Sequence, residues 1–478
     1  MFLTGHAQDH RISSQTDMQV RPMNRQPDRD TQASGRTIGV AIVGCGTVGG
    51  AAASILTDAD KDIIRSRSTA RVELRSIVDI DFTHARAAGL DERLFSEDLD
   101  GVLRDPEIQA VVELIGGTTA AKEVVLRALK AGKHVVTANK ALMAASGVEL
   151  LALARTHGVT VSFEASCAGG IPIIRSLTQG LIANDISALY GILNGTCNFI
   201  LTEMTQAGAS YEEALGQARE AGYAEADPYL DVSGHDTAHK LTILASLAFS
   251  RQIDIHKIPV TGIDALQEID VAYGQELGYV IKLLAIARKQ TGGDEPGLSL
   301  HVRPAFIPQD HPLAWVSGPF NAVSVYGDAT GHTMYYGRGA GGSPTASAIV
   351  SDLYAIATGN AASSFDSFLW PDRAARARQL TAAAITGRYY LRIMAEDQPG
   401  VLAQIASKLG DNHISILSVL QKEAPEGSPH DVGVPVVITT HRASEGSLLR
   451  ALAAIDRLPV VKQPSVCIEI VDEHLEQI

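Results

Sequence analysis

From Gly222 to Lys240 the chain reads G-Y-A-E-A-D-P-Y-L-D-V-S-G-H-D-T-A-H-K, which sets Glu225, Asp227, Asp231 and Asp236 ahead of one lysine. A site for a zwitterionic amino acid needs carboxylates for the ammonium group. It also needs a cation or acid where a reacting atom gains or loses charge. Asp236 and Lys240 are four residues apart and so share one helix face. On a solvated face such a pair contributes less than about 1 kcal/mol. Here Leu241, Ile243, Leu244 and Leu247 follow at once, so the helix is expected to be buried. A buried Asp–Lys pair is costly, and that favours a functional reading.

A second group of residues lies far upstream. The apolar run Ile38–Val43 leads into G-C-G-T-V-G, with Gly44, Gly46 and Gly49 at the spacing of a phosphate-binding turn. Such glycines permit a tight turn and close approach of a pyrophosphate, and the next helix offers free N–H groups. The bland alternative is a packing turn, but a strand before it and a helix after it favour nucleotide binding. A dinucleotide site together with a small polar substrate site points to hydride transfer. Asp79 ends the next apolar run and is placed to bind ribose hydroxyls, although it lies 30 residues past Gly49, later than the usual spacing of about 20. An acid there repels a 2′-phosphate and favours NAD, whereas Arg86 nearby leaves NADP open.

Thr137-Ala-Asn-Lys140 ends another predicted parallel strand, where ligands of open α/β sheets bind. Lys140 reads equally as a solvated lysine or as a group touching substrate and nicotinamide ribose. Cys167, in Glu164-Ala-Ser-Cys-Ala-Gly-Gly170, offers a rival chemistry: a thiolate nucleophile, as in acylating aldehyde dehydrogenases. The same loop's carbonyls with the Glu164 carboxylate could instead hold a hard cation. His235 and His239 stand four apart without the H-E-x-x-H form, a weak transition-metal signal.

The elements that must position these groups follow from periodicity. Strands are expected at Ile38–Val43, Val72–Val78, Ala110–Ile115, His134–Thr137 and Val159–Phe163. Helices through Ala53–Leu56, over Ala120–Ala131 and over Ala144–Thr156 alternate with them. This alternation implies an α/β fold with a doubly wound parallel sheet. Helices follow at Tyr211–Ala221 and Asp236–Phe249, and residues 260–320 read as a mixture of short strands and helices. Gly337–Val350 is a second glycine turn entering a small-residue helix, and the Ala- and Arg-rich stretch 361–387 reads as a linker. From Arg388 the pattern is βαββαβ: strands Tyr389–Met394, Ile414–Gln421, Val434–Thr440 and Val466–Val471, and helices Val401–Leu409 and Ser444–Ile455. That is a ferredoxin-like arrangement, expected as a separate domain.

Length and composition set the outer bounds. A chain of 478 residues suggests two to four domains of roughly 100–200 residues. A hydrophobic share of 45% and a charged share of 20% are those of an ordinary globular protein. The net charge of −14 argues against nucleic acid as a partner. No stretch reads as a membrane span. Four scattered cysteines fit a reducing, cytoplasmic setting rather than a disulfide framework. Residues 1–36 are polar and unpatterned and read as a disordered extension without a secretory signal; Met18 and Met23 are alternative starts.

Taken in order, G-C-G-T-V-G, A-N-K, F-E-A-S-C-A-G-G-I-P-I-I, L-N-G-T-C-N-F-I-L, G-Y-A-E-A-D-P…D-x-x-G-H-D-x-x-x-K and G-R-G-A-G-G-S-P-T-A-S-A resemble homoserine dehydrogenases. The later E-D-Q-P-G-V-L-A-Q-I-A resembles an ACT regulatory domain. The likeness covers residues 37–478. It implies a Rossmann-type NAD(P) domain at 37–163, completed by about 321–360, an α+β catalytic and dimerisation domain at 164–320, and an ACT domain at 388–478. The implied reaction interconverts L-homoserine and L-aspartate 4-semialdehyde, with threonine as effector and a homodimer or homotetramer as assembly. By the same resemblance Lys240 is the proton donor, and Glu225, Asp236 and Lys140 bind substrate. Thr47, Val48, Thr118, Lys140, Gly222 and Gly341 touch cofactor, and Glu164, Cys167, Gly169 and Ile171 hold a sodium ion. Cys167 often aligns with valine in this family, which suits a carbonyl ligand and weakens the nucleophile reading. NADP-preferring members often carry a basic residue before the acid of the second strand; Val78 stands there. A non-catalytic amino-acid sensor is a further alternative, opposed by the intact Glu225, Asp236 and Lys240.

Overall fold

The computed structural model describes residues 36–58, 66–290, 296–422 and 433–472. The extension expected over residues 1–36 lies, except for Arg36, outside them. Six strands make a wholly parallel sheet: β1 (Thr37–Val43), β2 (Arg71–Val78), β3 (Phe95–Ser96), β4 (Ala110–Glu113), β5 (His134–Thr137) and β6 (Val161–Ser162). Their spatial order is β3-β2-β1-β4-β5-β6. That is the doubly wound order whose switch point, between β1 and β4, opens the ligand crevice.

The strands are near-continuous apolar runs because both faces of the sheet are covered. Ile38, Val40 and Ile42 of β1 meet Ala346, Ile349 and Leu353 of the helix Gly342–Ala357 in one core. The alternate residues Ala41 and Val43 face a second core, with Val125, Leu129 and Leu142. The late helix Gly342–Ala357 also packs along Thr47–Thr57, the helix that follows the glycine turn. Two glycine-rich turns far apart in sequence are thereby neighbours.

A second sheet starts with five antiparallel strands in the order β11-β10-β7-β8-β9. They are β7 (Ile186–Ile192), β8 (Tyr279–Gln290), β9 (Gly297–Pro308), β10 (Phe320–Gly327) and β11 (Gly331–Arg338). The expectation of short elements over 260–320 is corrected here: β8 and β9 are 12 residues each and pair along their whole length. Their burial on both faces leaves no polar alternation for a period-2 reading to find.

The C-terminal part is the expected βαββαβ unit, with β12 (Thr386–Ala395), β13 (Ile416–Gln421), β14 (Val434–Thr440) and β16 (Val466–Ile470), and one unexpected two-residue strand, β15 (Ala443–Ser444), paired with β12. It does not stand apart as expected. β16 lies between β9 and β12 and pairs in parallel with β9 through Glu469–Ala305 and Ile470–Phe306, so one sheet runs through both parts. The seam is ionic as well as hydrogen-bonded. Glu469 is buried and accepts from His301 at 2.7 Å and from Arg288 at 3.3 Å. Arg392 of β12 makes a two-pronged contact with the buried Asp270, at 2.7 and 2.9 Å. Pairing here covers the β9 edge, which would otherwise present unpaired backbone groups.

The stretch read as a linker is also structured. Asn360–Ser367 is a helix, Trp370 packs among Phe163, Phe365 and Phe368, and Asp372 holds Arg155 at 3.1 Å. It is a strap stitched to the parallel-sheet part on its way to β12.

Candidate active site

Lys240 sits in the helix His235–Ala248, which starts at Gly234 in the left-handed region (φ 85°). The helix is buried along most of its length, as its apolar run requires, and Asp236 is buried in its first turn. The Lys240 ammonium donates to Asp236 Oδ2 at 2.8 Å and to the Leu193 carbonyl at 2.7 Å. An ammonium has three N–H donors, so one is left for a substrate oxygen. The other oxygen of Asp236 holds Lys140 at 2.9 Å.

Lys140 comes from the other half of the molecule. It opens the helix Lys140–Thr156 at the carboxyl end of β5, one residue after Asn139, whose side chain caps the helix by accepting from Leu142 N–H at 3.0 Å. Sequence periodicity started this helix at Ala144; the cap starts it at Lys140 and brings the lysine to the crevice. Asn139 Nδ2 also donates to the Gly117 carbonyl at 2.6 Å, tying the exposed loop that carries Thr118 to the same corner.

Electrostatically, one carboxylate serves two lysines. Burial opposes ionisation of Asp236, but Lys240 and Lys140 outweigh it and hold its pKa far below the usual carboxylate range. Burial likewise opposes the charge on Lys140, and Asp236 more than offsets this, so the Lys140 pKa is raised. Both groups are therefore ionised at neutral pH. Asp231, half-buried, has a raised pKa, first through burial and then through repulsion by Asp236.

Asn194 was not found by sequence reading. Its Nδ2 donates to Asp231 at 2.8 Å and to Asp236 at 2.9 Å, while its Oδ1 caps the helix Gly195–Gln206 by accepting from Cys197 N–H at 2.8 Å. Asn321, buried, donates to the same Leu193 carbonyl as Lys240, at 2.9 Å. The L-N-G-T motif held the first signal, an Asx residue before a helix; Asn321 left none.

Glu225 and Gly222 lie on the exposed stretch 221–228 and share no hydrogen bond or ion pair with the two lysines among the described residues. The stretch is anchored beside the site where Thr196 donates to the Tyr223 carbonyl at 2.7 Å.

The glycine turn has the expected form. Gly44 adopts φ 96°, and a Cβ on Gly49 would meet the Gly44 carbonyl oxygen at 2.2 Å. A Cβ on Gly46 would meet nothing within 4 Å. The turn is thus closed at Gly49 by packing and open at Gly46, where a phosphate can approach. The helix Thr47–Thr57, with Thr47 and Val48 in its first turn, has no side-chain cap or acidic residue there. Its N–H groups are available to an anion. Asp79 spends Oδ2 on Cys45 N–H at 2.5 Å and Oδ1 on Ile80 N–H at 2.7 Å, bracing the turn. Gly341, the N-cap of the late helix at φ 112°, and Gly342, close to Thr47, bring the second glycine turn against the first.

The nucleophile reading of Cys167 is opposed by its environment: it is fully buried, and burial pushes its thiol up to about 12. Around it, Gly169 (φ 42°) packs on Gly339, and Gly170 N–H donates to Arg338 at 2.9 Å. The Glu164 carboxylate accepts from the N–H groups of Ile174 at 2.8 Å and Arg175 at 3.0 Å. Burial, then repulsion by Asp352, raises its pKa to about 7. No cluster of three or more His, Cys, Asp or Glu ligands occurs among the described residues. The carbonyls of Cys167 and Gly169 accept no hydrogen bond among the described residues, which suits a hard cation bound by backbone oxygens. The Glu164 carboxylate and the Ile171 carbonyl, which accepts from Ile173 N–H at 2.8 Å, are already engaged.

A doubly wound sheet with an open glycine turn, and a buried Asp–Lys pair joined through Lys140 to the carboxyl end of β5, fit a nicotinamide-dependent oxidoreductase. Residues 44–164 match the family described as homoserine dehydrogenase, NAD binding domain; residues 172–354 match homoserine dehydrogenase, and 389–457 the ACT domain. A homoserine dehydrogenase of Pseudomonas aeruginosa is 44% identical over 439 residues, 91% of this chain and 99% of that one. A solved homoserine dehydrogenase of Thiobacillus denitrificans superposes with a TM-score of 0.84 at 42% identity, over 91% and 99% of the two chains. A hyperthermophilic archaeal homoserine dehydrogenase, solved in complex with NADPH, is 25% identical with a TM-score of 0.56, over 68% and 98%. The chain belongs to the homoserine dehydrogenase family and carries its NAD-binding and ACT domains. No helix among the described residues is long and apolar enough to cross a membrane.

Proposed function

We propose that the protein reduces L-aspartate 4-semialdehyde to L-homoserine with Lys240 as general acid, and runs the reverse reaction with the same residue as base. The observation that carries this reading is that one buried carboxylate, Asp236, is gripped both by Lys240 and by Lys140 from the opposite half. The nicotinamide supplies the hydride. As it reaches the aldehyde carbon, charge builds on the oxygen, and the third N–H of Lys240 stabilises that charge and delivers the proton. Such help is typically worth about 10²–10⁴-fold. Asp236 fixes the ammonium in place. Lys140 reaches both substrate and nicotinamide ribose, and Glu225 with Asp231 takes the substrate ammonium.

The coenzyme is read as NAD in preference to NADP. Asp79 at the end of β2 opposes a 2′-phosphate, Val78 gives no basic residue beside it, and Arg86 is paired with Glu92 at 3.0 Å. A sodium ion on the Cys167 and Gly169 carbonyls, beside Glu164 and Ile171, would brace the loop without taking part in the reaction. At the turns Gln398–Val401 and Asn412–Ile416 the N–H groups of Val401, Asn412, His413 and Ile414 are already engaged, and among the described residues those of Gln398, Gly400 and Ser415 are left for the carboxylate of threonine as feedback inhibitor. An assembly of two or four copies and a cytoplasmic location, which its unpaired cysteines fit, complete the reading. Threonine that left the rate unchanged with the C-terminal part folded would remove the effector assignment.

The test is homoserine-dependent reduction of NAD and of NADP by wild type, Lys240→Ala and Cys167→Ala. Loss of about 10²–10⁴-fold in Lys240→Ala, with Cys167→Ala within a few-fold of wild type, is the expected result. The opposite pattern would restore the thiolate mechanism. No turnover with either coenzyme would bring the sensor reading forward.

A further inference from the structure

A cavity of about 260 Å³ lies behind the two lysines, where the helices Lys140–Thr156 and His235–Ala248 pack and the strap crosses them. Met143, Val148 and Leu151 of the first helix and Ile243 and Leu247 of the second form one apolar wall, beside the hydroxyl-bearing Thr242 and Ser246. Its lip is held by the strap. Gln252 N–H donates to the Ala375 carbonyl and the Gln252 carbonyl accepts from Ala377 N–H, both at 2.9 Å, and Asp254 N–H donates to the Gln379 side chain at 2.8 Å. Arg376, Lys257 and Asp254 stand on this lip. Neither Arg376 nor Lys257 has an ion-pair partner among the described residues, and Asp254 spends only Oδ1, on His256 N–H at 3.1 Å. The volume falls just below the roughly 300–1,000 Å³ of sites for drug-sized ligands. It excludes a dinucleotide and admits a molecule of amino-acid size.

We infer that this cavity is a second amino-acid site, separate from the substrate crevice and from the ACT turns, for an α-amino acid with an aliphatic side chain. Arg376 and Lys257 receive its carboxylate, Asp254 its ammonium group, and the apolar wall its side chain. The site acts on turnover because of where the walls lead. Met143 is three residues past Lys140 and Ile243 three past Lys240, so a ligand wedged between them alters the alignment of the lysines that meet at Asp236. Misplacement of reacting groups by about 1 Å can cost about 10²-fold. The effect on rate rests on the reaction proposed above; the binding does not.

Calorimetric titration of the full chain with L-leucine, L-isoleucine and L-methionine tests it, with isovalerate and isobutylamine as probes lacking one charge. Expected is binding of at least one of the three amino acids, tighter than either control. Val148→Trp, which fills the cavity, and Arg376→Ala, which removes the carboxylate partner, should each weaken it about tenfold or more. Inhibition should lower kcat at saturating homoserine. No binding to folded wild type, or wild-type affinity in Arg376→Ala, overturns the site; should Val148→Trp misfold, Arg376→Ala alone decides. Binding without any change in rate retains the site and overturns its regulatory role.

Discussion

Asn194→Asp tests whether the carboxylate pair is held apart by one amide. Asn194 donates one hydrogen bond to Asp231 and one to Asp236, at 2.8 and 2.9 Å. Aspartate keeps the shape and the oxygen that caps the next helix, so the fold around Cys197 survives while both donors are lost. Hydrogen bonds to charged groups are worth about 1.5–3 kcal/mol each. Two like charges about 4 Å apart repel by about 4 kcal/mol at an effective dielectric of 20. The site relieves that repulsion by taking up a proton, so the full sum is a ceiling. The share that bears on Lys240 is the bond to Asp236, which converts to a fall of about 10–10²-fold in kcat/KM. The pH dependence gives a second readout. Below the raised pKa of the new carboxyl, its proton restores one donor, so the ratio of variant to wild-type kcat/KM rises as pH falls from about 8 to about 6. Asn194→Ala, without a titrating group, should show a flat ratio. The assay is initial-rate homoserine oxidation across that pH range. A folded Asn194→Asp enzyme within twofold of wild type at neutral pH, or a ratio independent of pH, would refute the reasoning.

The two open and closed positions of the glycine turn should separate by experiment. Gly46→Ala meets no neighbour and should leave the melting temperature unchanged while weakening coenzyme binding, whereas Gly49→Ala meets the Gly44 carbonyl oxygen at 2.2 Å and should lower stability; coenzyme titration with thermal melts checks both. At the seam, Glu469→Gln removes the anion facing Arg288, Arg303 and His301 and should cost about 3–5 kcal/mol in denaturant unfolding. Burial opposes the Glu469 charge, but His301, Arg288 and Arg303 hold its pKa down at about 2, against 4.5 ordinarily. Its stabilisation is therefore complete above about 4.5 and drains away as pH falls toward 2. The glutamine variant should lose less stability than wild type over that window, and parallel acid dependence in the two would contradict the ion cluster.

Sequence patterns recovered most of the parallel sheet because each strand there is a short apolar run closed by a turn residue. His134–Thr137 and Val434–Thr440 appear with their expected ends, and β1 and β2 gain one residue each. The failures have a common physical cause, which is that long-range burial erases local pattern. β8 and β9 lost their alternation because both faces are covered, and the strap read as a linker because Trp370 and Asp372 find partners only in three dimensions. At the candidate site, Asp236 and Lys240 were readable because they share one helix face, and Lys140 because it follows the carboxyl end of a strand. Asn194 and Asn321 were not, since an amide's importance lies in what it bridges, and Asp231, Asp236 and Leu193 come together only on folding.

The position of β16 has a consequence for how the chain is made. The last described strand fills the gap between β9 and β12, so the edge of β9 stays bare until Val466–Ile470 has left the ribosome. During synthesis the long β8–β9 pair is an open template for other nascent chains. A chain stopped before Val466 would carry that open edge permanently. It should be lost to aggregation although every group at the active site had already been translated.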